Sequence, residues 1–213
     1  MKNKILGLLA VAIMLLGAIL IHNTNQNRSQ RHYQHLEAQP KARCTDHGDE
    51  VFCTHLPLLK ITTDEPIPDP YIRTKSGAMK ITDNGRPVFN PKLVTATVEL
   101  FDNPKENNHL TDVPVLKERA VTRVRGNSSR RFDKKSYLLK FKQDNMVDNK
   151  DVPLAGMTAD HSWAIHGPFM DRTLLRNYLC CHLAGEIMEF SPDVRFCELF
   201  VNEEYMVMRL KPV

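Results

Sequence analysis

Apolar and polar positions alternate along several short stretches of this chain, and one later stretch repeats at helical spacing. Val94–Asp102 (VTATVELFD) sets Val94, Ala96, Val98 and Leu100 on one face, the period-two pattern of a half-buried strand. Ala120–Arg125 and Ser136–Lys142 read the same way; in the second, Tyr137, Leu139 and Phe141 oppose Leu138, Lys140 and Lys142. Leu56–Thr63, Trp163–His166 and Val194–Asn202 are further strand candidates. Pro66, Pro68 and Pro70 mark a turn, and Asn84-Gly85 is a two-residue hairpin signal. Leu174, Leu175, Tyr178, Leu179, Leu183, Ile187 and Met188 follow a helical period, with Asp171 as N-cap and Pro192 as the stop. The predicted class is α+β: a mainly antiparallel sheet with one long helix packed on it. No internal repeat is visible, so a solenoid is not supported.

The first residues change the picture of where this domain works. Lys2 and Lys4 precede an uninterrupted apolar run over 5–21. Its length lies between a signal-peptide core and a spanning helix. The run closes on Ala18-Ile19-Leu20-Ile21-His22, without the small residues of a cleavage site. The expectation is an uncleaved anchor over 1–24, with the membrane as partner through 5–21 and the rest extracytoplasmic. The alternative is a secreted protein, its signal cut near Asn23–Gln26. Residues 25–55 read as a polar stalk, with a short helix around Arg31–Ala38. Residues 56–213 then form the folded domain.

The five cysteines are Cys44, Cys53, Cys180, Cys181 and Cys197, and no CxxC pair exists, which argues against a zinc ribbon. Cys44 and Cys53 flank a short polar loop and suit a local disulfide outside the membrane. His47 and His55 raise a metal site with those thiols, but no ligand spacing matches a closed site, and none is predicted.

Charge matters here by placement. The net formal charge is only +4. Yet Arg123, Arg125, Arg130, Arg131, Lys134 and Lys135 crowd into Val121–Lys142 against one acid, Asp133. Between them Gly126, Asn127, Ser128 and Ser129 offer small residues with accessible N–H groups, a combination that suits a bound phosphate. Plainer readings stand beside it. The loop is equally a simple turn, and paired lysines often protect a sheet edge. Asn127-Ser128-Ser129 also fits the N-glycosylation pattern. Trp163 is expected in the core, and Arg176 in an ion pair with Glu198 or Glu186. No nucleic-acid partner is predicted.

Several ordered blocks resemble the CotH kinase family, the spore-coat-H-like atypical protein kinases. The first is Arg125-Gly126-Asn127-Ser128-Ser129-Arg130, followed by Lys134-Lys135-Ser136-Tyr137. The next are Val152-Pro153-Leu154-Ala155-Gly156-Met157 and Asp171-Arg172-Thr173-Leu174-Leu175-Arg176-Asn177. The last is Phe196-Cys197-Glu198-Leu199-Phe200-Val201-Asn202. The resemblance implies a fold like the small lobe of an atypical kinase. It implies phosphorylation of protein hydroxyls, with ATP and Mg or another divalent metal as cofactors and a protein as substrate. Phosphoryl transfer asks the protein mainly to position phosphates and neutralise charge. On that reading Gly126, Asn127, Ser128 and Ser129 lie over the phosphates, with Arg125 and Arg130 adding charge. Lys135 is the phosphate-contacting lysine and Lys134 its alternative. Glu186 would hold that lysine from the helix, with Glu198 as second choice. Asp171, Arg176 and Asn177 match the family motif and are expected to fix the helix and its entry.

After Tyr205 the chain departs from the family pattern: Met206-Val207-Met208-Arg209-Leu210-Lys211-Pro212-Val213 lacks the expected glycine and apolar β-branched strand. The expectation is a truncated CotH-like kinase, missing the lobe with catalytic and metal-binding aspartates and nearly inactive alone. Asp144, Asp148 and Asp151 lie before the helix, where the family does not place its metal. The alternative function is a non-catalytic extracytoplasmic module that binds a polyanion or a protein.

Overall fold

A computed structural model describes Gly7 and residues 9–21, 52–188 and 190–212, with the backbone alone over 207–212. The predicted stalk helix at 31–38, Cys44 and its pairing with Cys53, and His47 lie outside the described residues.

In chain order the strands are β1 (Cys53–Thr54), β2 (Leu58–Thr63), β3 (Val94–Phe101), β4 (Asn108–His109), β5 (Leu116–Arg125), β6 (Ser136–Phe141), β7 (Ser162–His166), β8 (Arg195–Val201) and β9 (Glu204–Pro212). Residues 9–21 are helical (α1), and a second helix, α2, spans Arg176–Ile187. Strands β1 and β4 pair separately. The other seven close into a barrel in the order β2-β3-β5-β6-β7-β9-β8. Every pairing in it is antiparallel except β2 with β8, which run parallel with Leu58 opposite Glu198 and Ile61 opposite Val201.

The alternation read from the sequence becomes the barrel's inside and outside. Ala96, Val98 and Leu100 of β3, Tyr137, Leu139 and Phe141 of β6, and Cys197, Leu199 and Val201 of β8 meet in one core. Trp163 joins it, fully buried, its indole N–H donating to the Asp160 carbonyl at 2.9 Å. Val152, Leu154 and Met157, from the segment between β6 and β7, fill the same core. Each fully buried side chain of this size contributes about 1.5–3 kcal/mol of transfer free energy.

The α+β expectation, with one long helix packed on a sheet, is corrected: the described fold is mostly β. Helix α2 begins at Arg176, five residues later than its predicted cap. The apolar stripe Leu175, Leu179, Leu183 and Ile187 does share one face, but that face is exposed, Leu183 at 64%. Its buried residues are His182 and Gly185, and Tyr178 stacks on Phe196 of β8 at 4.9 Å. The physical reason is closure. A barrel fills its own interior with alternate strand residues and needs no helix over an open apolar face. Leu175 stands at the N-cap position without a side-chain bond, while Asp171 Oδ2 accepts the Arg176 N–H from five residues back at 2.9 Å.

The expected anchor over 1–24 falls partly outside the described residues, and its described part does not form a spanning helix. Among the described residues no helix is long and apolar enough to cross a membrane, and α1 is described only over 9–21. A span needs about 20 residues. Finally, the stretch after Tyr205, read as lacking the expected strand, belongs to β9 (Glu204–Pro212), bonded to β7 on one side and β8 on the other.

Candidate functional site

The basic loop lies at the end of the barrel where β5 stops at Arg125 and β6 starts at Ser136, opposite one another. Gly126 turns the chain with φ +110°, a conformation that L residues seldom adopt, and a Cβ there would collide with the Ser129 side chain. Ser128–Arg131 follow as a 3₁₀ turn with Arg130 buried. The Arg130 Nε donates to the Gly126 carbonyl, and Lys135 Nζ donates to the Arg130 carbonyl at 2.9 Å. The loop is therefore folded onto itself by its own cations. Gly167, just past β7, sits against it, and its N–H donates to Ser136 Oγ at 3.1 Å.

The connection from β2 to β3 arrives at the same end, because Thr63 pairs with Ala96 and Val94 with Thr122. It forms a small three-pass meander through the bridges Tyr71 to Phe89, Arg73 to Met79 and Ile81 to Pro87. Gly77 and Gly85 make its two turns, both at positive φ; the second falls at Asn84-Gly85 as the sequence placed it, but as a three-residue loop closed by the Thr82 N–H on the Arg86 carbonyl and not as a two-residue turn. Between meander and loop lies a cavity of about 500 Å³. Val124 and Tyr137 reach it from the barrel, and Tyr71 and Met79 from the meander. Four cations line it, Arg73, Arg130, Arg131 and Lys135, with one acid, Asp69.

Electrostatics follow from that crowding. Burial works to raise Asp69. The Tyr71 N–H, the Arg73 guanidinium at 2.7 Å and more distant Lys135 outweigh it and hold the carboxyl below the usual range. Burial, then Arg123, lowers the proton affinity of both Arg130 and Arg125. Such a site gains from an incoming anion, which relieves cation–cation repulsion.

Of the residues singled out in the sequence, the cavity gathers Arg130 and Lys135, with Gly126 bonded beside them. Arg125 lies on the outward parity of β5, next to inward Val124. Asn127 and Ser128 are exposed on the loop, Ser129 and Lys134 are half-buried, and none of the four lines the cavity. Glu186 is exposed on α2, and no ion pair among the described residues joins it to Lys135. Glu198 faces outward from β8 and accepts the Tyr205 hydroxyl at 2.7 Å. Asp171 is a local clasp: it accepts the Thr173 hydroxyl at 2.6 Å and the N–H groups of Thr173 and Arg176, and these bonds hold its carboxyl below the usual range. Arg176 stands 3.7 Å from it, and Asn177 is half-buried in the first turn of α2. Sequence reasoning missed Arg73, Asp69 and Tyr71, which lie far from the loop along the chain. Their nearest signal was the turn chemistry of the meander. Gly167 was also missed.

The donor set here does not suit a divalent metal. Among the described residues Asp69 is the only carboxylate at the cavity, and it is engaged by Tyr71 and Arg73 among four cations. One group of potential ligands with metal-compatible spacing occurs among the described residues, the carboxylates of Asp151 and Asp160 with the His161 imidazole. It lies at the other end of the barrel, since Ser162 pairs with Lys140. The length of β6 separates the two ends, about 17 Å.

A family model described as CotH kinase protein matches residues 122–206. The match begins within β5, takes in the basic loop, β6, β7, α2 and β8, and ends just inside β9; the resemblance seen in the sequence is borne out over that stretch. The meander lies before it. No curated protein matches the chain.

Proposed function

We propose, from the CotH kinase match over 122–206, that the barrel mouth is the nucleotide-holding part of a CotH-like protein kinase, with ATP as the bound species. The observation that carries this reading is the 500 Å³ cavity with four cations and one engaged acid, built on the loop inside the matched stretch. Cations at a triphosphate supply the charge neutralisation that phosphoryl transfer requires. Lys135 is the central phosphate contact: it lines the cavity, with its ammonium donating to the Arg130 carbonyl at 2.9 Å. The full reaction, transfer to a protein hydroxyl with a divalent metal, needs carboxylates that the cavity does not offer. The described residues alone therefore bind nucleotide without turning it over at a useful rate.

Calorimetric titration of the full chain with Mg-ATP, ATP, tripolyphosphate and adenosine tests this. ATP and tripolyphosphate should bind, and Lys135→Ala should weaken both by roughly tenfold, the loss of one charge-assisted contact. Radiolabelled transfer to casein should stay at the Lys135→Ala level. If tripolyphosphate binds as tightly as ATP and adenosine not at all, the cavity serves as a polyanion site. No binding of either phosphate compound overturns the reading.

A further inference from the structure

We propose that the meander over 69–90 is a lid on the cavity, that it delivers Arg73 as an additional phosphate-binding cation, and that Arg130 staples it to the barrel; this deepens the nucleotide-phosphate reading above and rests on it. The matched stretch contains neither the meander nor Arg73, so nothing in the family match assigns them.

The meander has almost no core of its own. Its passes are held by backbone bonds such as Lys80 N–H to the Ile72 carbonyl and Val88 N–H to the Lys80 carbonyl, both 2.8 Å, while Met79 and Ile81 are exposed. Its base is fixed. Lys92 meets Glu65 at 2.7 Å, and Arg119 on β5 meets Asp64 at 2.9 Å. A small sheet tied at its base and bare at its tip opens locally at low cost.

One side chain bridges the gap to the barrel. Arg130 is only 6% exposed. Its guanidinium lies 4.1 Å over the Phe89 ring at the end of the meander, and Nη1 donates to the Pro70 carbonyl at its start, 3.4 Å away. With Nε on the Gly126 carbonyl, Arg130 is bonded to backbone on both sides of the gap and has Phe89 on its face. Buried in that bridge, Arg130 serves to hold the meander down.

Arg73 makes as many bonds, but from an exposed position. Asp69 takes its Nε at 2.7 Å and the Gly77 carbonyl takes Nη1 at 3.0 Å. Those two bonds fix the plane of the fork, and its remaining N–H groups are uncommitted among the described residues. The side chain is half exposed and lines the cavity with Lys135. A phosphate between Arg73 and Lys135 would be bound from the lid and the barrel together. Ligand binding and lid closure therefore favour one another.

Calorimetry with tripolyphosphate at two salt concentrations, combined with amide exchange at Ile72, Lys80 and Val88, tests the proposal on the full chain. Arg73→Gln should weaken binding about tenfold, a single charge-assisted contact, and flatten its salt dependence, while its effect on lid exchange in the free protein, through the lost Asp69 and Gly77 bonds, stays below that of Arg130→Lys. Arg130→Lys keeps the charge but loses the fork; it and Phe89→Leu should both speed lid exchange several-fold and weaken binding. Tripolyphosphate should slow lid exchange in the wild type. Full binding by Arg130→Lys with wild-type lid exchange, or unchanged affinity in Arg73→Gln, overturns the proposal. Wild-type protein that binds no tripolyphosphate, yet loosens its lid in Arg130→Lys, overturns the phosphate reading instead.

Discussion

Replacing Gly167 with alanine probes how the lysine pair is held in place. A Cβ at Gly167 would press into the Lys135 carbonyl oxygen and lie 3.0 Å from that of Lys134. Both are backbone atoms, and the next residues, Ser136 to Leu139, are buried in β6. The segment cannot retreat without disturbing the core, so the strain falls on the Lys134–Lys135 turn. Overpacking of this kind costs about 1–3 kcal/mol. For a chain of this size that lowers Tm by roughly 2–12 °C. Lys135 should leave its place over the Arg130 carbonyl, and Mg-ATP affinity should fall with it. Gly156→Ala is the control. Gly156 has φ +72° in open space at the far end of the barrel, so alanine there costs a comparable ~1–2 kcal/mol without touching the cavity. Thermal unfolding by circular dichroism and calorimetric titration read both quantities. If Gly167→Ala keeps wild-type Tm and affinity, the close approach does not matter. If both variants lose affinity equally, global stability and not lysine placement is responsible.

Other substitutions separate the core from the surface. Leu139→Ala, at a fully buried barrel position, should cost about 2–5 kcal/mol by urea unfolding, while Leu183→Gln on the bare face of α2 should stay within about 0.5 kcal/mol; a large loss in the latter would mean that face is packed. Cys197 is buried, and burial followed by Glu198 pushes its thiol far above the usual range. A thiol reagent should therefore label exposed Cys53 and Cys180 in the native protein and reach Cys197 only in denaturant, and equal rates without denaturant would refute this. Asp69 is held below its ordinary value of 3.8, so its contribution is present above that pH and lost as pH falls through the lowered folded value. Lid amide protection should be flat from neutral pH to about 4 and fall below it; Asp69→Asn should remove the pH-dependent step.

The strands were legible because alternation survives barrel closure unchanged. Val94–Phe101 and Ser136–Phe141 carry their inward residues at the predicted positions. Closure itself was not legible, since the parallel pairing of β2 with β8 depends on no local pattern. The helix misled for a physical reason: Leu175, Leu179 and Leu183 do line up, but periodicity reports that a face is apolar and not that something covers it. Met206–Pro212 misled in the other direction. Arg209 and Lys211 broke the apolar pattern, yet their backbone pairs with His166 and Ala164 in full register. At the site, Lys135 and Arg130 were visible as charge next to a glycine turn. Arg73 and Asp69 were not, because a β2–β3 connection reveals its partner only when the barrel brings both to one end.

The parallel contact between β2 and β8 also sets a kinetic order. Strand β2 meets β3 soon after both are synthesised, but its other neighbour belongs to the far part of the chain; Thr63 and Asn202, bonded at that seam at 2.8 Å, are 139 residues apart. Closing so long a loop comes late and slowly, on the millisecond-to-second scale of other non-local β folds. Until it closes, Leu58, Leu59 and Ile61 present an unpaired apolar strand edge, the usual template for chain-to-chain pairing. Nascent protein halted before β8 should thus be the species most prone to aggregate, because that edge stays unpaired.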